Sequence, residues 1–181
     1  MITVKKQVSD GVLDIVKSHI MPNKKIEMDD KYIRFANCYT YALNMDIPTD
    51  TNIGDISWQY NSNYNYKDFE RLFIDDCNTL DISVKKVEPD CNLLNENEWL
   101  VVLYGTDYYI KNKCKTSDFH LIKKNYSEKW SGKYLHEMPH YKDDNNDTLD
   151  NVKDALFAIL DDEENVVLYN YIGTYKLIKK W

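Results

Sequence analysis

The chain has 181 residues, of which 43% are hydrophobic, and a formal net charge of −7 at pH 7. A chain of this length can bury a core without disulfides or metal ions, so we expect one domain over residues 1–181. The negative charge argues against nucleic acid as a partner, because phosphate binding needs clustered cations. No apolar run approaches the roughly 20 residues of a membrane-spanning helix, so we predict no membrane partner.

The N-terminal segment and the cysteines predict a reducing compartment. The opening residues M-I-T-V-K-K-Q-V-S-D-G lack the apolar region of a secretory signal. The four cysteines stand at positions 38, 77, 91 and 114, and no two of them form a C-x-x-C pair. We therefore expect reduced thiols, a cytoplasmic or host-cell cytosolic location, and no zinc site among the cysteines.

Predicted helices occupy the first part of the chain. The first follows a cap at Ser9, ends at Pro22 and carries an apolar face made by Val12, Ile15, Val16 and Ile20. A short helix is predicted over residues 38–45, before the Ile47–Pro48 step. A loop over residues 49–65 leads to a third helix, whose buried face carries Phe69, Leu72, Phe73, Cys77 and Leu80. This pattern predicts that Cys77 belongs to the core.

Predicted strands dominate the second part of the chain. Apolar runs and turn residues indicate strands over residues 82–84, 99–104, 117–124 and 129–135, with one or two closing strands over 166–179. A late helix is predicted from the spacing of Leu149, Val152, Leu156 and Ile159. Helices followed mostly by strands indicate the α+β class, with helices packed on a mostly antiparallel sheet.

The segment H-E-M-P-H, from His136 to His140, matches the zinc-peptidase pattern H-E-x-x-H. That chemistry requires both histidines on one face of a continuous helix. Pro139 lies inside the required turn, where it removes a backbone donor and costs about 3 kcal/mol or more. The flanking residues carry no helical stripe either. We therefore predict no metal site at this segment.

A second candidate site pairs Cys38 with His120. A helix N-terminus carries partial positive charge and unpaired amides, which favour a thiolate. A neighbouring imidazole would complete the activation, and backbone amides would hold the oxyanion of an acyl-transfer intermediate. Asp118, His120 and Ile122 share one strand face, so His120 is able to point toward such a helix. The alternative is an ordinary buried thiol, because Cys38 also begins an apolar stripe on its helix.

Three motifs favour the catalytic interpretation: N-C-Y-T-Y-A-L-N, then D-F-H-L-I-K-K, then W-S-G-K. Together they resemble a set of bacterial, phage and viral proteins of papain-like or NlpC-type cysteine-peptidase character, which carry N-C-Y-x-Y-A-L, D-[FY]-H and W-S-H-K. The resemblance covers residues 35–179, since the closing Y-I-G-T-Y-K-L is also similar. It implies a papain-like fold, with Cys38 as nucleophile and His120 as base.

The chain departs from that pattern at Gly132, which stands where the set has histidine, twelve positions beyond His120. This is about where a papain-like fold places the polar group that orients the base. Ser131 or His136 is a candidate substitute for that group, and its complete absence is the alternative. Asn37 either caps the helix or supplies an amide to an oxyanion hole.

The sequence thus predicts a thiol hydrolase, a cysteine peptidase or amidase that acts on a peptide or protein substrate through a Cys38–His120 dyad. It predicts no metal and no organic cofactor. Acyl transfer would use the same residues. The alternative from another class is a weakly active or inactive papain-like module that serves as a binding protein or a structural protein of a virus particle. The oligomeric state is left open.

Overall fold

The structure is a computed structural model that describes residues 10–22, 24–57, 59, 64–110 and 114–180. Four α-helices lie before the strands in the described ranges: α1 (Asp10–Ser18), α2 (Asp30–Phe35), α3 (Cys38–Ala42) and α4 (Phe69–Thr79), and a 3₁₀ helix (Tyr66–Asp68) directly precedes α4. None of them is long and apolar enough to cross a bilayer, since the longest, α4, has 11 residues. The cap predicted at Ser9 lies outside the described residues.

Two antiparallel sheets follow. The strands are β1 (Ile82–Val87), β2 (Glu98–Ile110), β3 (Cys114–Asn125), β4 (Ser131–Gly132), β5 (Ala158–Leu160), β6 (Val166–Leu168) and β7 (Asn170–Lys179). The main sheet has the order β1-β7-β2-β3-β4, and β5 pairs with β6 in a separate hairpin. The predicted α+β class with an antiparallel sheet is therefore confirmed.

The alternation of side chains along the strands gives the main sheet two buried faces. Leu103 and Leu121 belong to the core on the side of α3 and α4, which also contains Cys77, as predicted. Val102 and Ile122 belong to a second core on the opposite side. That second core is closed by one residue directly before β4 and three from the segment between β4 and β5: Trp130, Leu149, Val152 and Phe157.

The late helix predicted around residues 149–159 is wrong. Leu149 and Val152 are buried but lie in turns, and the chain then enters β5. Carboxylates from an earlier turn take the backbone donors that a helix would use. Asp143 accepts from Leu156 N at 2.7 Å, and Asp144 accepts from Ala158 N at 2.8 Å. Such local side-chain acceptors compete with helical hydrogen bonds, and periodicity does not reveal them.

Several other predicted elements differ in length from the observed ones, and three examples show why. The strand predicted over residues 129–135 contains only the two residues of β4. The helix predicted over residues 38–45 ends at Ala42, and Asn44 adopts a positive φ of 55°. β2 continues past Gly105 to Ile110, because Gly105 is needed for close packing rather than for a turn. A Cβ there would lie 2.9 Å from side-chain atoms of Phe69 and Ile172.

Asp76 of α4 connects the helices to the loop before it. The carboxylate is fully buried and accepts from Tyr39 Oη at 2.7 Å, Gly54 N at 2.7 Å and Ser57 N at 2.6 Å. Burial raises the pKa of Asp76, and these donors oppose the shift. Because a buried carboxylate is tolerated only when its oxygens are satisfied, this cluster fixes α3, α4 and the loop as one unit.

Replacing Asp76 with Ala should lower the free energy of unfolding by about 3 kcal/mol, because three buried donors lose their acceptor. Asp76→Asn should lose only about half as much, since its one carbonyl oxygen still serves Tyr39 Oη and Gly54 N. Urea unfolding followed by circular dichroism measures both variants. Equal stability of Asp76→Ala and the wild type would show that the cluster does not anchor the loop.

Candidate active site

Cys38 is the first residue of α3 and lies at the outer edge of β3. β4 pairs only with Ile122 and Lys123 of β3, so among the described strands none pairs with the outer edge before Ile122. Cys38 Sγ lies 3.9 Å from the carbonyl oxygen of Phe119 at that edge. The sulfur therefore lies beside the strand backbone, and Cys38 also packs with the core on the side of α3 and α4.

Asn37 caps α3, which is one of the two roles that the sequence left open for it. Its Oδ1 accepts from Thr40 N at 3.0 Å. Its Nδ2 donates to Asp50 Oδ1 at 2.8 Å and to the Thr51 carbonyl oxygen at 2.7 Å. Both amide hydrogens are therefore used inside the protein. Of the two roles considered for Asn37, the observed contacts fit the cap and leave no free hydrogen for an oxyanion hole.

Polar contacts hold α3 against β3 and β4. Lys123 Nζ donates to Asn44 Oδ1 at 2.6 Å and lies 3.9 Å from the centroid of the Tyr41 ring. Tyr41 Oη and Ser131 Oγ share a hydrogen bond of 2.8 Å. Since Ser131 pairs with Lys123, its hydroxyl lies on the face that packs on α3. Ser131 therefore serves α3 rather than His120.

His120 projects to the opposite face of β3, next to Phe157 of the second core. Its ring is 1% exposed and lies 4.5 Å, between centroids, from both Tyr134 and Phe157. The strand period allowed His120 to point toward the helix, but Phe119 and Leu121 occupy that side of β3. Contact with Cys38 is available only around the strand edge.

One cavity of about 310 Å³ lies at that edge and is lined by both Cys38 and His120. Asp118, Tyr134 and Tyr169 contribute to the same lining, and Tyr169 Oη donates to Asp118 Oδ2 at 2.7 Å. A larger cleft of about 730 Å³ lies near Trp130, but its lining includes neither Cys38 nor His120. The smaller cavity is the one that combines a thiol with an imidazole.

Burial keeps both reactive groups neutral. It raises the pKa of the Cys38 thiol to about 12, although the backbone N–H groups of Leu121, Tyr39 and Cys38 favour the thiolate. It lowers the pKa of His120 well below its usual value, and the neighbouring His140 adds to that shift. The thiolate expected from the helix N-terminus is therefore not favoured, because α3 has only five residues and desolvation outweighs its amides.

The segment H-E-M-P-H is a turn and not a helix. His136 is exposed with a positive φ of 66°, and His140 forms an isolated bridge with Gly132. The two histidines are therefore separated by a chain reversal rather than stacked on one helix turn. Within the described residues, no cluster of three or more His, Cys, Asp or Glu side chains is arranged to hold a metal ion.

His140 is the residue that sequence reasoning missed. Its ring lies 5.7 Å from that of His120, between centroids, and 4.9 Å from that of Tyr134. The sequence offered Ser131 and His136 as candidate partners of His120. In the structure, Ser131 is hydrogen-bonded to Tyr41 and His136 is exposed. The available signal was the glycine at 132, which leaves space for another side chain beside β4.

No protein-family model, curated protein or solved structure matches this chain. The fold is of the α+β class with an antiparallel sheet. The papain-like fold and the thiol chemistry stay predictions, for which the geometry of the site is the available support.

Iodoacetamide at neutral pH should modify Cys38 before Cys77. Cys38 is 8% exposed and lines an open cavity, whereas Cys77 is fully buried within α4. The reaction at Cys38 should be slower than that of the same thiol in the unfolded chain, because the thiolate is the reactive form and burial disfavours it. Peptide mapping by mass spectrometry measures both rates, and equal labelling of Cys38 and Cys77 would contradict the assigned cavity.

The contribution of Lys123 to the free energy of unfolding should rise with pH above 7. Burial lowers its pKa to about 7, so between pH 7 and the ordinary lysine value the unfolded chain binds one more proton than the folded one. Stability from this group is therefore lost as the pH falls from about 10 to 7, by about 3 kcal/mol. Comparing urea unfolding of the wild type and Lys123→Met at pH 7 and 10 isolates this slope, and parallel pH profiles would exclude it.

Proposed function

We propose that the protein is a thiol hydrolase that cleaves a peptide or amide bond, with Cys38 as nucleophile and His120 as general base. The observation that carries the proposal is the cavity at the edge of β3, which both side chains line. A thiol and an imidazole in one cavity are the minimum set for covalent acyl chemistry. We also propose a papain-like fold, supported by the order of a nucleophile on an early helix and a histidine on a later antiparallel strand.

In the first half of the reaction, Cys38 Sγ forms a bond to the carbonyl carbon of the substrate while His120 takes the thiol proton. The carbon–nitrogen bond then breaks, and His120 returns the proton to the leaving nitrogen. In the second half, water adds to the thioester carbon and gives a proton to His120. The sulfur–carbon bond breaks, which releases a carboxylic acid and restores the thiol with that proton.

The neutral state of both groups determines how this proton moves. Because burial raises the pKa of Cys38 and lowers that of His120, the resting site contains thiol and imidazole rather than an ion pair. Proton transfer then accompanies nucleophilic attack, as in hydroxyl nucleophiles activated by a base. The backbone N–H groups of Cys38 and Tyr39, which favour negative charge on the sulfur, are the candidates for stabilising the oxyanion.

A binding or structural module is the second candidate. Its support is the same burial, since a neutral, 8% exposed thiol is also what an unreactive core cysteine looks like. On this alternative the cavity would hold a ligand without covalent chemistry, and Cys38 would be replaceable by another small residue. The two candidates therefore differ in whether His120 changes the reactivity of Cys38.

Turnover of p-nitrophenyl acetate, a small activated ester, separates the two candidates. The wild type should release p-nitrophenolate over repeated cycles, and mass spectrometry should find a transient acetyl group on Cys38. Cys38→Ser should abolish the transient thioester, and His120→Gln should slow acylation by about 100-fold or more, because a general base contributes roughly that much. Cys91→Ser is the matched control, since it removes a partly exposed thiol outside the cavity and should leave turnover unchanged.

Thermal melts of the same variants show whether lost turnover reflects lost folding. A serine hydroxyl at position 38 would line the cavity, where water or His120 can be its partner, so Cys38→Ser should change stability by less than about 1 kcal/mol. If His120→Gln folds normally and Cys38 acetylates at the same rate as in the wild type, the hydrolase proposal fails and the binding module stands.

A further inference from the structure

His140 occupies the space that a side chain at position 132 would need. A Cβ built on Gly132 would lie 2.7 Å from both Cε1 and Nε2 of His140, closer than real Cβ contacts. The backbones of the two residues also exchange hydrogen bonds of 2.9 Å and 2.8 Å. Because Gly132 pairs with Ile122, this space is on the same face of β3 as His120. The glycine at 132 therefore admits the ring of His140 beside His120.

The rings of His120 and His140 lie side by side under Tyr134. The centroids of the two histidines are 4.5 and 4.9 Å from that of Tyr134 and 5.7 Å from each other, and all three planes are within 25° of parallel. If Tyr134 were between the histidines, their separation would approach the sum of the two shorter distances. Both histidines therefore lie on one side of Tyr134, with their edges toward each other.

The hydrogen bonds of His140 fix its tautomer. Its Nδ1 lies 2.7 Å from the Lys142 carbonyl oxygen, which can only accept, so neutral His140 carries its proton on Nδ1. Its Nε2 is then an acceptor. That atom is buried without a partner, and so is Nε2 of His120. A buried polar atom without a partner costs free energy, and one contact would satisfy both.

We propose that His140 is the positioning residue for His120: its Nε2 accepts a hydrogen bond from the protonated Nε2 of His120, which leaves His120 Nδ1 free to take the proton of Cys38. His140 thereby fills the role of the orienting group that Gly132 cannot supply. This inference rests on the proposed hydrolase function for its catalytic consequence, but the choice of tautomer is a property of the folded protein alone. Other titratable groups near His120 include Tyr104, which is opposite it on β2 and donates to the Val152 carbonyl oxygen, Tyr134, bonded to Asp144, and Tyr169, bonded to Asp118.

Ring-nitrogen NMR of the full-length protein tests the tautomer without any substrate. In the wild type, His120 should carry its proton on Nε2, with Nδ1 unprotonated. His140→Phe keeps an aromatic ring under Tyr134 but removes the acceptor, so His120 should shift to a mixture of tautomers. His140→Gln supplies an amide oxygen near the position of Nε2 and should restore the Nε2-protonated form. His136→Phe changes the exposed histidine of the same loop and is the matched control.

Gly132→Ala provides a second test that leaves both histidines in place. Its Cβ should displace the His140 ring, so His120 should show the same tautomer mixture as in His140→Phe while the fold persists in circular dichroism. An unchanged Nε2-protonated His120 in folded His140→Phe and Gly132→Ala would overturn the proposal, because a merely structural His140 would move stability and not the tautomer.

Kinetics on p-nitrophenyl acetate separate failure of this inference from failure of the hydrolase proposal. His140→Phe should lower kcat by about tenfold or more with little change in KM, as expected for loss of the group that orients a base, and His140→Gln should recover most of it. Absent turnover in the wild type would refute the hydrolase proposal while the NMR result still decides the role of His140. Normal turnover in folded His140→Phe would refute the positioning role alone.

Discussion

The short pairing of β4 with β3 is the constraint on which the candidate site depends. Only Ile122 and Lys123 of β3 pair with β4. The chain leaves the sheet after Gly132 because Lys133 turns inward, where its Nζ donates to the carbonyl oxygens of Ile33, Ala36 and Tyr134. These carbonyls include C-terminal acceptors of α2 that lack a helical partner, so Lys133 caps the end of α2. Because the chain leaves the sheet there, the edge of β3 before Ile122 is left without a neighbouring strand among those that the structure describes. Cys38 approaches β3 at that edge.

At a strand edge, one side chain of α3 can pack beside β3 and still share a cavity with a residue from the opposite face of the sheet. Alternation places Leu121 against α3 and His120 against Phe157, so a nucleophile that packs on one face would not reach an imidazole on the other. At the edge, the sulfur bonds backbone of the strand itself and shares a cavity with the histidine. The result is a deeply buried thiol and imidazole in one cavity, and desolvation keeps both groups neutral.

The position of His140 places a ring from a later turn in the space beside Gly132. Gly132 interrupts the W-S-H-K pattern when the sequence is compared position by position. In space, the turn that begins after Gly132 brings the chain back, and the ring of His140 enters the volume beside the glycine. The same turn contains H-E-M-P-H, which is therefore not a metal-binding helix. One chain reversal thus brings His140 to Gly132 and separates His140 from His136.

The sequence alone determined the elements whose causes are local. Asn37 caps α3 because a side-chain acceptor three residues before an amide suffices, Cys77 is buried because its helix has one apolar face, and β3 forms from an alternating run. Only the tertiary structure decided the short extent of β4, the replacement of the late helix by turns and β5, and the face on which His120 lies. Those outcomes depend on partners far along the chain, such as Lys133 with α2, Asp143 with Leu156 and His140 with Gly132, whose contacts no sequence period encodes. The charge state of Cys38 also required the fold, because burial, which sets its pKa, is a property of the whole packed edge.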